Sequence, residues 1–393
     1  MHLKPIASTF LSKIAVAVLG LALVVFVSRT FGSIGRGQIS LLLSSVALLQ
    51  MIMEFGSNSS VINLSYTHQP KMLLKSACLF ILAVGVLALP IIGFFDLPFK
   101  WTIAPLAILF ALVNLLQMLL MGQQQLSYRN WSLLVSPVLI LIGLLISVYA
   151  FGPQLSLYPI CLLASLMISA VLAFRWLNRS AFKYTSEPFL FQRIILKQGA
   201  WVQGAQFIQF LNYRINFFLI ALWLNNADLG VYNNVIVLCE AVWILGHSIG
   251  QIQHMKIRNS LSAIEDIQMT KRFIGLNLIG SLAMALTLCL LPSGFWTSLF
   301  SQDFLEIAKL LPHCVLGIMV FSVSNIINHY LHAKDQFTAI FWINVLGLCF
   351  GVVAAIFAIP HYGLIGACWS WGIGLTASML GYLVYFLRHT KNA

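Results

Sequence analysis

Charge is what this chain has least of. Asp, Glu, Lys and Arg make up 8% of its 393 residues, and only ten residues are acidic. A soluble domain carries roughly 25%, so a water-soluble globule is excluded. The motifs of several enzyme classes are missing as well. There is no Gly-rich phosphate loop ending in Gly-Lys-Ser/Thr, which excludes ATP hydrolysis by this chain, and neither GxSxG nor HExxH occurs. The one adjacent acidic pair, Glu265–Asp266, sits among Lys256, Arg258, Lys271 and Arg272 and reads as a solvated, charge-balanced segment. The seven cysteines are scattered singly, with no Cys-x-x-Cys pair. That excludes a disulfide framework or a zinc site and leaves them as small buried hydrophobes. No cofactor or metal is expected.

What is there is apolar sequence: 60% of residues are hydrophobic, in long runs separated by short polar breaks. This is the pattern of a polytopic helical membrane protein. About twelve runs reach the ~20 residues a span needs. They begin with Phe10–Ser28 and Gln38–Ile62 and end with Phe337–Pro360 and Tyr362–Leu387. The first run lacks a small-residue cleavage site and is long enough to span, so it is not read as a signal peptide.

The longest polar break divides the chain into residues 1–177, a linker over 178–198 and residues 199–393, with six spans on each side. The formal net charge is +12. The cations lie between spans rather than in one block, so nucleic acid is not the expected partner. Seventeen of the 22 lysines and arginines fall at the amino terminus and in alternate loops, among them Lys71, Lys75, Arg129, Arg175, Lys256, Arg258, Lys334 and Arg388. By the positive-inside rule those loops and both termini are cytoplasmic.

The halves carry a weak internal repeat. "GSIGRGQISLLLSSVALLQMIMEFG" after the first span parallels "NNADLGVYNNVIVLCEAVWILGHSIG" after the seventh. Setting Gly37 on Gly230 puts Glu54 on His247. "NLLQMLLMGQQQL" from Asn114 parallels "NIINHYLHAKDQF" from Asn325. Two six-helix bundles around a central cavity are the predicted architecture.

Polar residues inside spans single out the candidate site, because a charge at mid-membrane costs ~2.5–3.5 kcal/mol. In "QGAQFIQFLNYRINFFLIALW", Gln206, Gln209, Asn212, Tyr213 and Asn216 share an arc of about 120°. Gln203 and Arg214 lie on one flank of that arc. Such a helix has a wet side suited to polar or anionic cargo. Asn325, Asn328, His329 and His332 recur on one face of the tenth span, and Asn114 and Gln117 on one face of the fourth. Arg29 and Arg36 flank the first outer loop, where cations are otherwise scarce. Glu54, Glu240 and His247 are the groups able to relay a proton or hold a coupling ion.

Three segments resemble a known family. "VSRTFGSIGRGQISLLLSSVALLQMIMEFGSNSSVINLS", with Arg29, Gly32, Gly37, Glu54 and Gly56, is similar to the first-loop and second-helix signature of Wzx-type O-antigen and polysaccharide flippases. These belong to the multidrug/oligosaccharidyl-lipid/polysaccharide (MOP) exporter superfamily. The segment around Gly230 and Tyr232 resembles the start of the second half, and that around Gly363, Gly366 and Ala367 the last helix pair. Many relatives carry an aspartate where this chain has Asn216.

The resemblance implies a flippase of the bacterial inner membrane. It would move an undecaprenyl-pyrophosphate-linked sugar repeat outward by alternating access, driven by H+ or Na+. A polysaccharide polymerase and a chain-length regulator are its implied partners. The implied substrate-binding residues are Arg214, Arg29, Arg36, Gln203, Gln206, Gln209, Tyr213, Asn216, Asn114, Asn325 and Asn328; Glu240, Glu54 and His247 are the implied coupling groups. Arginine suits a diphosphate because it grips two oxygens at once, and amides suit sugar hydroxyls because they donate and accept. Two other readings stay open: a drug or organic-cation antiporter of the same superfamily, and a membrane polysaccharide polymerase or ligase.

Overall fold

The computed structural model of the chain describes residues 3–55, 70–178 and 191–391. Gly56, the end of the second expected span and residues 179–190 of the expected linker lie outside these. Among the described residues there is no strand. The helices are α1 (Leu3–Met53), α2 (Pro70–Gly93), α3 (Lys100–Gly122), α4 (Leu126–Phe151), α5 (Leu157–Asn178), α6 (Phe191–Trp223), α7 (Asn226–Arg258), α8 (Ala263–Leu290), α9 (Ser293–Leu299), α10 (Ile307–Ala333) and α11 (Phe337–Lys391). In hydrocarbon a helix satisfies every backbone group within its own segment, which is why apolar runs this long take no other form.

Nine of the helices are long and apolar enough to cross a membrane among the described residues. Two of the nine are double-length. The helix α1 breaks at Gly32 (φ 65°) and α11 at Gly363 (φ 57°), each in a left-handed conformation that glycine adopts without steric cost. The first outer loop expected from sequence is therefore a single-residue break, and the eleventh and twelfth expected spans are the two arms of α11. Counting the arms separately gives eleven spans. The twelfth expected span is α6, as long as α7 but not among the nine, because Gln203, Gln206, Gln209, Asn212, Arg214 and Asn216 lower its hydropathy.

Local signals set the helix ends. The Asn225 side chain caps α7 by accepting from the Asp228 N–H at 2.9 Å, and Ser262 caps α8 by accepting from the Glu265 N–H. Asp228, Glu265 and Asp266 complement the positive helix starts, and Lys256 and Arg258 the negative end of α7.

The chain divides into two compact units: Met1–Phe31 with Leu41–Gln203, and Gly32–Ser40 with Gly204–Ala393. In the first, α3 packs against α2, α4 and α5 and buries Ile103, Leu106, Leu116 and Leu119. In the second, α10 lies against α7, α8 and α11, with Ile327, Tyr330 and Leu331 buried against Ile340, Tyr382 and Phe386. Large apolar side chains such as Leu87, Ile146, Ile279 and Phe357 are exposed, as a lipid-facing surface requires.

The short segment Gly32–Ser40 belongs to the second unit through specific bonds. The Ser33 N–H donates to Asp303 Oδ2 at 3.0 Å. Arg36 Nε donates to Asn234 Oδ1 at 2.9 Å, and the Asn233 amide lies against Ser40 and the Arg36 guanidinium.

Candidate functional site

The polar arc of α6 does not stay together. Asn216 is buried, and its amide nitrogen donates to the Ala367 carbonyl at 2.9 Å, to Ser370 Oγ at 3.1 Å and to Tyr232 Oη at 3.3 Å. Its amide nitrogen is engaged inside the second unit. Gln203 is buried and closes the first unit, whereas Gln206 is exposed. The remaining three, Gln209, Asn212 and Tyr213, line a small pocket within the second unit.

Asn325, Asn328 and Ser324 of α10 and Asn344, Ser378 and Tyr382 of α11 complete its polar lining, and Phe321 and Leu375 supply the apolar wall. No charged side chain is among these. Gln209 Nε2 donates to Tyr213 Oη at 2.6 Å, Asn212 Nδ2 to the Asn344 carbonyl at 2.9 Å, and Tyr382 Oη to Asn344 Oδ1 at 2.9 Å. Asn325 is 3% exposed, and its Nδ2 has no hydrogen-bond partner. An unpaired buried donor costs about 1–3 kcal/mol; this one lies toward Gly246 of α7, where a Cβ would stand 2.9 Å from it. Tyr213 rests against Trp243 (5.3 Å between centroids), which stacks on Phe321 at 3.8 Å. The pocket is thus an aromatic-backed cage of amides and hydroxyls.

Beside Tyr213, the helix turns Arg214 toward α7. Arg214 Nη2 lies 2.8 Å from Glu240 Oε1 and 3.0 Å from Oε2. The cation expected to bind substrate and the acid expected to couple ions are therefore each other's partner. Their side chains are 23% and 27% exposed, and the guanidinium lies 4.9 Å from the Phe217 ring centre. Removing either partner leaves the other charge uncompensated at membrane depth, a loss of about 3–5 kcal/mol for a buried pair and less for one this exposed.

The other candidates stand apart from the Arg214–Glu240 pair. Arg36 is buried (5% exposed) and bonded to Asn234. Arg29 is exposed. His247 sits with its ring 6.2 Å from that of His329 and 5.9 Å from Phe321, so two turns of α7 carry it to different neighbours from Glu240. In the first unit, Glu54 is 5% exposed and accepts from Gln50 Nε2 at 2.8 Å and Asn114 Nδ2 at 2.9 Å. Asn114 thus serves that carboxylate, while its helix neighbour Gln117 donates to Ser132.

Sequence reasoning missed Asn344, Ser378 and Tyr382. Asn344 had a readable signal, a lone amide inside an apolar span. Among the described residues, no three His, Cys, Asp or Glu side chains gather as a metal site.

A family model described as polysaccharide biosynthesis protein matches residues 2–251. No match is found among curated proteins. Among solved structures, the chain is similar to an inward-facing multidrug resistance MATE family transporter of the MOP superfamily. The TM-score is 0.73 at 12% identity, over 96% of this chain and 95% of that one. It is also similar to the lipid II flippase MurJ in an inward closed conformation, with a TM-score of 0.64 at 17% identity over 98% and 90%. A MATE in the straight conformation gives 0.62 at 14% over 99% and 94%. At these identities the likeness is one of fold, and the expected all-α MOP fold is the observed one.

Proposed function

The chain belongs to the polysaccharide biosynthesis protein family, and from that premise we propose that it is a flippase for an undecaprenyl-pyrophosphate-linked oligosaccharide. It moves this lipid from the cytoplasmic to the outer leaflet of the bacterial inner membrane by alternating access of its bundles. The similarity in fold to a lipid II flippase supports the lipid-linked cargo. The asymmetry of lysine and arginine between loops supports cytoplasmic termini.

The observation that carries the reading is the uncharged pocket of amides and hydroxyls, set among membrane-spanning helices next to Arg214. Amides that donate and accept match sugar hydroxyls, and a guanidinium matches phosphate oxygens. Gln209, Tyr213, Asn325 and Asn328 take the saccharide in this reading, and Arg214 the diphosphate. Arg29 and Gln206, both exposed, are left for peripheral contacts. Glu54 is the coupling group for H+ or Na+ in this reading, a buried carboxylate that accepts from Gln50 and Asn114, whereas Glu240 is paired with Arg214.

The similarity to MATE transporters raises the reading of an organic-cation exporter. Such cargo calls for an acid on an aromatic wall. The aromatic wall is present, but no acid lines the pocket, and Glu240 is neutralised.

The test is leaflet exchange. In proteoliposomes holding an undecaprenyl-pyrophosphate-linked oligosaccharide, the chain should expose glycan on the opposite leaflet, and Arg214→Ala should abolish exposure at unchanged reconstitution. Efflux of an organic cation without glycan exchange, or lengthening of the glycan, overturns the reading.

A further inference from the structure

The geometry of the Arg214–Glu240 pair points to an exchange at a single anion site. We propose that Glu240 is its resident occupant and that a phosphate-type headgroup takes its place on Arg214 when cargo binds. The inference rests on the flippase reading and specifies how its headgroup site is held between turnovers.

Four features of the pair carry it. Both Glu240 oxygens meet the same nitrogen, Nη2, at 2.8 and 3.0 Å. The strong fork-to-fork pairing of arginine with an oxyanion uses two nitrogens, so the resident carboxylate leaves that mode unused. Arg214 Nη1 is buried and has no hydrogen-bond partner, so a donor of the fork awaits a second oxygen. Each side chain is about a quarter exposed, so the pair is open to an incoming group rather than sealed in the core. The guanidinium is held independently of Glu240, since it lies 4.9 Å from the ring centre of the fully buried Phe217. When the carboxylate leaves, the arginine stays in place for the next anion.

The exchange has a physical advantage over an empty cationic site. A bare guanidinium at membrane depth is costly. Trading one oxyanion for another keeps it neutralised throughout.

The probe is inorganic pyrophosphate, titrated into the full chain in phosphatidylcholine nanodiscs. Glu240→Gln removes the competitor and should tighten pyrophosphate binding by about tenfold, ~1.4 kcal/mol. Arg214→Ala and the double variant should bind none. Binding to Glu240→Gln that equals or falls below that of the unmodified chain overturns the exchange. If Glu240→Gln fails to fold, Glu240→Asp, whose carboxylate falls one methylene short, should tighten binding by a smaller factor; unchanged or weaker binding overturns the exchange equally.

Competing ligands separate the two sources of phosphate. Displacement of pyrophosphate by undecaprenyl pyrophosphate supports the cargo headgroup, and displacement by phosphatidylglycerol alone overturns it in favour of a bilayer phosphate. The failures are distinguishable. Normal glycan translocation by Arg214→Ala sinks the site reading itself. Loss of translocation in Arg214→Ala, with no tightening in Glu240→Gln, sinks only the exchange.

Discussion

Gly37 and Gly230 meet backbone to backbone. A Cβ built on Gly230 would stand 3.0 Å from the Gly37 nitrogen and collide with the Ser33 carbonyl; one built on Gly37 would collide with the Asn226 carbonyl. These are the two residues that the internal repeat sets at equivalent positions. Their contact seats the start of the second arm of α1 on the first turns of α7, and small residues at a membrane helix crossing permit that approach.

Gly230→Val should therefore destabilise the chain by about 3 kcal/mol, the upper end of ordinary overpacking, because backbone atoms cannot move aside as a side chain would. Thermal unfolding in detergent measures it. A melting temperature unchanged from the parent chain would show that the crossing yields at little cost.

Arg36 lies beside this crossing, and its Nε–H···Asn234 bond is buried. Arg36→Ala removes the bond that Arg36 Nε donates to Asn234 Oδ1. A hydrogen bond to a charged group contributes about 1.5–3 kcal/mol, so a stability loss of that size is expected, with pyrophosphate affinity unchanged in the protein that folds. A selective loss of affinity at full stability would return Arg36 to the binding site.

Asn325 separates stability from function. Its side chain lines the pocket of α6, and its Nδ2 is buried without a partner. Asn325→Leu removes an unmet donor and fills space, so stability should hold or rise by about 1 kcal/mol. Glycan translocation should nevertheless fall at least tenfold, while pyrophosphate binding at Arg214 persists. Translocation at the parent rate would take the pocket out of the transport path.

Glu54 carries the coupling prediction. Glu54→Gln keeps the shape and removes the charge that Gln50 and Asn114 now serve. Translocation in proteoliposomes should speed up when a proton or sodium gradient is imposed on the parent chain, and should run at the same rate with and without it in Glu54→Gln. A preserved gradient response would make Glu54 a structural acid.

Much of the fold was legible in the residue order. Apolar runs of membrane-crossing length, broken by short polar stretches, admit only helices, because hydrocarbon offers backbone groups no other partner. Even α6, with its polar arc, was legible as a helix from its length and position. The candidate residues were legible for the same reason: a polar group is expensive in lipid, so Arg214, Glu240, Glu54 and the amides of α6 and α10 stand out against their neighbours.

Which of these groups find one another was not legible. A helical face specifies a direction and not the helix that lies across it. Packing alone paired Arg214 with Glu240, spent Asn216 on Ala367 and Ser370, turned Asn114 to Glu54, and brought Asn344 and Tyr382 of α11 to the pocket of α6. Residue chemistry by itself determined that this chain spans a membrane and carries polar groups there at a cost. The tertiary arrangement decided which of those costs are settled internally and which are left unmet, because hydrogen bonds and ion pairs depend on distances that no single helix contains.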